Sequence, residues 1–296
     1  MSALRKTGHR PDPTDIVNRR LGLHLHPARA AMTTPLPLST INRSLLWGVW
    51  DQHDASGCEG CAHATGVTLR LACAGTPLPE PVSNVGLYLG ALTIDRTPNP
   101  DGTLPPLTDS GTFPSSILAA AALWGSCGVS KWGQQPMSSG TLYVDPSNEQ
   151  SPLIEPPPEK LFTESAYRLQ GAFFVQTGGL QRVLDILGAL AAGFPVSASI
   201  AASGASFQNY SGGVLTGAQM TGDIDHATVI VDYAWTGSAE QFAAWQGGAP
   251  GLDQFLVFYG VNSWGTGWGE AGLYRADVTF INQAADACVL SVTRAS

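Results

Sequence analysis

The stretch Asn262-Ser263-Trp264-Gly265-Thr266-Gly267-Trp268-Gly269-Glu270 decides how this chain reads. Two tryptophans interleaved with three glycines in nine residues is a pattern that chance seldom produces. Glycine at such spacing marks backbone that turns tightly or lies close to a ligand. Strand-like runs flank the block, Phe255 to Val261 before it and Gly272 to Ala276 after it. Upstream, Asp225-His226-Ala227 opens a third run, His226 to Tyr233, and Val196 to Ala201 and Ala287 to Thr293 supply two more. Alternation in the 226–233 and 255–261 runs predicts paired strands joined by a long Gly- and Trp-containing loop over 235–253. With one helix predicted over Gly179 to Ala192, the second half reads as a small β-rich lobe.

The first half reads as helical. Cys61 to Ala74 is Ala-rich, places Val67, Leu71 and Ala74 on one face, and ends before Gly75. Phe113 to Trp124 carries Pro114 in its first turn and stops before Gly125. Residues 151–158 are too proline-rich to continue either a helix or a central strand and form the boundary between halves. The organisation expected is an extended basic arm over 1–44 and a domain over 45–296, divided into lobes at about 45–150 and 160–296.

Composition removes several classes. The 296 residues are 44% hydrophobic and 13% charged, which a disordered chain is not. No run approaches the ~18 apolar residues of a spanning helix, so no membrane association is expected. The net charge of -8 divides into +4 over residues 1–29 and −12 over the rest. An acidic body repels phosphate backbones, so no nucleic-acid partner is expected. The basic arm suits packing on its own acidic body or docking to a partner. No secretory signal is legible at the start, and the compartment stays open.

Five cysteines, Cys58, Cys61, Cys73, Cys127 and Cys288, are too few and odd in number for a disulfide scaffold. Cys58-x-x-Cys61 admits a zinc or redox site with His53 or His63. No second cysteine pair stands at zinc-like spacing, so neither metal nor cofactor is expected.

Taken together, four segments resemble the papain family of cysteine peptidases. Asp51-Gln52 followed by Cys58-Glu59-Gly60-Cys61 is similar to the family's Gln-loop-Cys-Gly-Ser-Cys element. Asp225-His226-Ala227 resembles its histidine strand, the 262–270 block its Asn-Ser-Trp-Gly signature, and Ser206 to Gly217 the segment before the histidine. Leu87-Tyr88 and the stretch from Leu107 to Val129 resemble the left lobe of bacterial members, and the overall pattern is nearest to bacterial or viral members. The resemblance implies an α+β, papain-like two-lobed fold, with a helical left lobe, a β-barrel-like right lobe and the active-site cleft between them. It implies a cysteine endopeptidase acting on a peptide or protein substrate through an acyl-enzyme.

Carried over residue by residue, Cys61 is the expected nucleophile, its thiolate favoured by a helix N-terminus and an imidazolium. His226 is the expected acid and base, Asn262 its orienter and Trp264 the shield of that hydrogen bond. Gln52 and the Cys61 N–H are the expected oxyanion donors. Gly60, Gly111, Thr112, Ile224, Asp225, Ala227 and Trp264 are expected to line the substrate cleft.

Two departures stand out. Gln52 lies nine positions before Cys61, where the family has six. The family's partner cysteine for the position assigned to Cys58 is replaced by the Asp109-Ser110-Gly111-Thr112 stretch. About 45 residues precede the cysteine element, short for a long inhibitory prosegment. The rival reading is a catalytically silent module that binds peptides or docks in a larger assembly such as a virion or cell-surface machine.

Overall fold

The computed structural model describes residues 36–132, 167–175 and 177–294. The proline-rich 151–158 stretch and most of the basic arm lie outside the described residues. In chain order the helices are α1 (Cys58–Cys73), α2 (Asn84–Asp95), α3 (Pro114–Leu123), α4 (Gly179–Ala191), the single turn α5 (Ala205–Gln208), α6 (Ala239–Gln246) and α7 (Val278–Gln283). The strands are β1 (Tyr167–Phe174), β2 (Val196–Ile200), β3 (His226–Trp235), β4 (Leu256–Val261), β5 (Leu273–Ala276) and β6 (Ala285–Arg294). They form one antiparallel sheet in the order β1-β6-β2-β3-β4-β5. Among the described residues no helix is long and apolar enough to cross a membrane.

Helix α1 sets the architecture because it is buried on nearly every side. A helix needs partners all round to be stable in that condition. One of its sides meets α2 and the left-lobe core, built from Val67, Leu71, Leu87, Ile117 and Leu118. Another meets the sheet through Ala62 and Leu69, packed on Ala227, Val229, Val231 and Val261. The far side of the sheet carries the larger right-lobe core, with Ile186, Leu190, Phe207, Phe258, Trp264 and Phe280.

Helix α1 begins at Cys58, three residues before the predicted start. Gly60 reads as a breaker, at about 1 kcal/mol against alanine. Packing overrides that preference. A Cβ at Gly60 would stand 2.6 Å from the Asn84 carbonyl oxygen and 2.9 Å from the Tyr88 Cβ, so α1 and α2 can approach only through a glycine.

The segment predicted as a loop over 235–253 contains α6, started by a capping box in which Ser238 and Gln241 exchange side-chain and backbone bonds. That Ser-x-x-Gln signal was readable in the sequence. Residues 38–43, placed with the arm by sequence, are tied to β3 instead. Leu38 and Thr40 exchange backbone bonds with Trp235 and Tyr233. The buried Asp232 carboxylate accepts from the Thr40 hydroxyl at 2.6 Å and the Asn42 and Arg43 N–H groups at 2.7 and 3.0 Å.

Candidate active site

The sheet builds the site from its right-hand side. Strand β3 starts at His226, opposite Ile200 of β2, and β4 delivers Asn262 just past its last residue. The Val229–Val261 pairing between β3 and β4 brings the two side chains together. His226 Nε2 lies 2.7 Å from Asn262 Oδ1, which also accepts the Ser263 N–H at 2.7 Å. The Ser263 N–H requires an acceptor, which fixes the amide with its oxygen inward. His226 therefore donates through Nε2, and Nδ1 is the ring atom left to exchange a proton. Trp264, fully buried, covers the pair with its ring centroid 4.8 Å from that of the imidazole, and Phe207 packs edge-on against both.

The same block holds the left lobe in register. Gln52 N–H donates to the Ser263 carbonyl at 2.8 Å and Gly265 N–H to that of Trp50 at 2.9 Å. The Ser263 hydroxyl donates to Gln52 Oε1, which turns the amide NH2 toward the turn before α1, where it reaches the Ala55 carbonyl at 2.7 Å.

The two cysteines of α1 have different surroundings. Cys58 is the first helical residue, preceded by Gly57 as N-cap. It packs in the seam between lobes with Ala227 and Val261, the chain neighbours of His226 and Asn262. Its position carries one of the N–H groups that helix geometry leaves without an intrahelical carbonyl.

Cys61 lies a turn later and belongs to the left-lobe core with Trp50, Val67 and Leu71. Its N–H is already committed to the Gly57 carbonyl at 3.1 Å. Burial pushes its thiol up to about 12, the hydrogen bond that Asn84 Nδ2 donates to its sulfur at 3.2 Å works against that rise, and Asp51 adds to it. It also borders the seam, where it lines a shallow depression with Trp50, Thr65, Ala227, Val261, Asn262 and Ser263.

The assignment of Cys61 as nucleophile and oxyanion donor is thus at odds with the geometry. Burial pushes its thiol up and its N–H is bonded within the helix. Cys58 has the helix-start position and the seam contacts that this chemistry needs. It also stands six positions after Gln52, which removes the three surplus residues.

The expected cleft residues divide in the same way. Gly60 is closed into the α1–α2 contact. Thr112 is fully buried, its hydroxyl donating to Asp95 at 2.6 Å, so it does not narrow a cleft. Gly111, at φ +72°, donates its N–H to the Tyr88 hydroxyl at 3.2 Å. Ala227 lies in the buried seam, and Trp264 is enclosed as the cover of the His–Asn pair. Ile224 and Asp225 remain half-exposed on the right lobe. Asp225 accepts the Ala202 N–H at 2.8 Å and so ties the start of β3 to the end of β2.

Two groups escaped the sequence reading. Asp109 Oδ1 accepts the Ser56 N–H at 2.9 Å and the Tyr88 hydroxyl at 2.7 Å, holding the turn before Cys58 to α2 by hydrogen bonds. No disulfide joins any two of the five cysteines.

The second is a buried pair on α1. His63 Nδ1 lies 3.0 Å from the Glu59 carbonyl and 3.3 Å from its carboxylate, with side-chain exposures of 3% and 1%. Deleting the buried imidazole removes its hydrogen bond to Glu59 and leaves a cavity in α1's packing, together about 3 kcal/mol. His63→Ala is therefore expected to lower Tm by about 10 °C, and a thermal melt of the full chain measures it.

This is a papain-like fold, with a helical layer and an antiparallel sheet meeting at a seam that holds the Cys, His and Asn side chains. Residues 167–290 match the model of the papain family cysteine protease. The cysteine proteinase COT44 of Brassica napus is 40% identical over 83 residues, 28% of this chain and 20% of that protein. Papaya proteinase 4 of Carica papaya is 36% identical over 106 residues, 34% of this chain and 25% of that protein. The chain thus spans a fifth to a quarter of the length of these relatives.

Among solved structures, xylellain from Xylella fastidiosa covers 98% of each chain at TM-score 0.63 and 18% identity. Digestive procathepsin L 3 of Tenebrio molitor covers 95% of this chain and 77% of its own at TM-score 0.60 and 21% identity. Residues 167–290 are thus similar to the papain family cysteine protease, and the solved structures share the fold.

Proposed function

We propose that this protein is a cysteine endopeptidase that hydrolyses peptide bonds through an acyl-enzyme on Cys58. The observation that carries the reading is the His226–Asn262 hydrogen bond beneath Trp264, set against a seam in which Cys58 opens a helix.

The positive end of α1 and an imidazolium at His226 favour the Cys58 thiolate. The thiolate adds to the substrate carbonyl, and the Cys58 N–H and the Gln52 amide stabilise the oxygen that takes up charge. His226 Nδ1 delivers its proton to the departing amine and later takes one from the water that releases the acyl group. Asn262 keeps the ring aimed throughout, and Asp109 holds the preceding turn in place.

The substrate class is a peptide or protein, and Ile224 and Asp225 on the right lobe are the expected cleft residues that lie nearest the surface. The domain reading, an arm followed by a two-lobed peptidase from about residue 45, belongs to this proposal, as does docking of the arm to a partner.

The test is covalent labelling. E-64, present in the structure of the Carica candamarcensis protease CMS1MS2, or another thiol-directed epoxysuccinyl peptide, is expected to modify Cys58 under reducing conditions and to leave Cys61 unmodified. A protein that hydrolyses no peptide and takes no label at Cys58 would be the silent module of the rival reading.

A further inference from the structure

The mechanism leaves Cys61 without a role, although a second thiol one helical turn from a nucleophile has chemistry of its own. Both cysteines are helical residues of α1, at its first and fourth positions. With a 1.5 Å rise and 100° per residue on a 2.3 Å radius, residues three apart have Cα atoms ~5 Å apart. A disulfide spans Cα separations of ~4.4–6.8 Å.

The Cβ atoms of such a pair lie ~5–6 Å apart in a regular helix, beyond the ~3.5–4.5 Å of a relaxed bridge. One end of the pair must therefore move by about 1 Å. The Cys61 side is fixed, because Gly60 is wedged against α2 and Asn84 donates a hydrogen bond to the Cys61 sulfur. The shift falls on the Cys58 side, the first residue of the helix, which the chain enters through Gly57 with no side-chain cap, two residues after the Ser56 N–H that Asp109 holds. Cys73, at the far end of the same helix, is ~22 Å away along the axis. A bridge closed with this much strain is readily reduced.

We propose that Cys58 and Cys61 are an oxidative modification site, at which hydrogen peroxide closes a reversible disulfide that switches the peptidase off. It rests on Cys58 being the reactive thiolate of the proposed function. In the first step the Cys58 thiolate attacks one peroxide oxygen, the O–O bond breaks, and hydroxide leaves, giving a sulfenic acid. In the second, the Cys61 sulfur attacks the Cys58 sulfur, the S–S bond forms, the S–O bond breaks, and the leaving oxygen takes up the Cys61 proton as water. Two thiols lose two electrons and one peroxide becomes two waters. A dithiol reductant reverses the change. Capture by Cys61 also spares Cys58 the irreversible step to sulfinic acid.

The experiment uses the full chain, reduced, treated with a several-fold molar excess of hydrogen peroxide, alkylated and digested with trypsin. No Lys or Arg falls between Ser44 and Arg70, so both cysteines lie on one peptide. After peroxide that peptide is expected to be two hydrogens lighter and unalkylated, with peptidase activity down at least tenfold. Dithiothreitol is expected to restore both. Cys61→Ser is expected to start with wild-type activity and then to lose it irreversibly as Cys58 proceeds to sulfinic acid; Cys61→Ala serves if the serine variant does not fold. Cys58 sulfinic acid in the wild type, with Cys61 still alkylated, would overturn the proposal and leave the nucleophile assignment standing. A disulfide that forms while activity persists would instead overturn Cys58 as the nucleophile.

Discussion

Cys58→Ala is expected to lower kcat/KM for a peptide substrate by at least about 10⁴-fold, as loss of a covalent nucleophile does, while Cys61→Ser stays within a few-fold of wild type. The contrast follows from the two ends of one helical turn. Cys58 is the first residue of α1, at the positive end of the helix. Cys61 is inside the left-lobe core, its N–H bonded to Gly57, its thiol pushed up to about 12 by burial. That rise disfavours the Cys61 thiolate needed to attack a peptide carbonyl near pH 7. Steady-state kinetics of both variants, with circular dichroism to establish folding, separates the assignments. A Cys61→Ser protein as inactive as Cys58→Ala would reverse the one made here.

His226→Ala is expected to cost about 10³–10⁴-fold in kcat/KM, within the range of a positioned general acid and base. The variant loses both the proton donor to the leaving amine and the positive charge that holds Cys58 as thiolate. Asn262→Ala is expected to cost less, because Trp264 still packs on the imidazole at 4.8 Å when the Oδ1 contact is gone. A pH profile of the Cys58 alkylation rate checks the first part. In wild type the rate is expected to rise at acidic pH as the thiolate–imidazolium pair forms, and in His226→Ala to rise only near the ordinary thiol range of about 8–9. An unchanged alkylation profile would remove His226 from the pair.

Much of the fold was legible before any coordinates. Pro114 and Gly125 bracketed α3, the 179–191 helix was found within a residue, and the runs that became β2 to β6 were all identified. Helix α6 was missed although its Ser238 to Gln241 capping box was in plain view, because the glycines and tryptophans around it read as loop. Strand β1 and helix α2 were passed over for a different reason. Their stability comes from partners distant in sequence, β6 for the strand and Gly60 of α1 for the helix.

The residue types of the proposed site and their order were legible, but the cysteine proposed for it here differs from the one the sequence suggested. Gln52, His226, Asn262 and Trp264 are all where their motifs pointed, and the interval of six from Gln52 to Cys58 was available as arithmetic. The resemblance of Cys58-x-x-Cys61 to a two-cysteine element drew attention to the second sulfur instead.

By itself the sequence determined the papain-like fold and the residues proposed for the site, because an Asn-Ser-Trp-Gly block behind a histidine strand is a local, low-probability pattern that survives any loop change. The tertiary structure alone decided which side of α1 meets the sheet and which is closed into the left lobe. That depends on contacts among residues far apart in the chain: Gly60 against Asn84 and Tyr88, and Cys58 against Ala227 and Val261. Three residues along a helix turn a side chain by 300° and lift it by ~4.5 Å, enough to give the two sulfurs different surroundings.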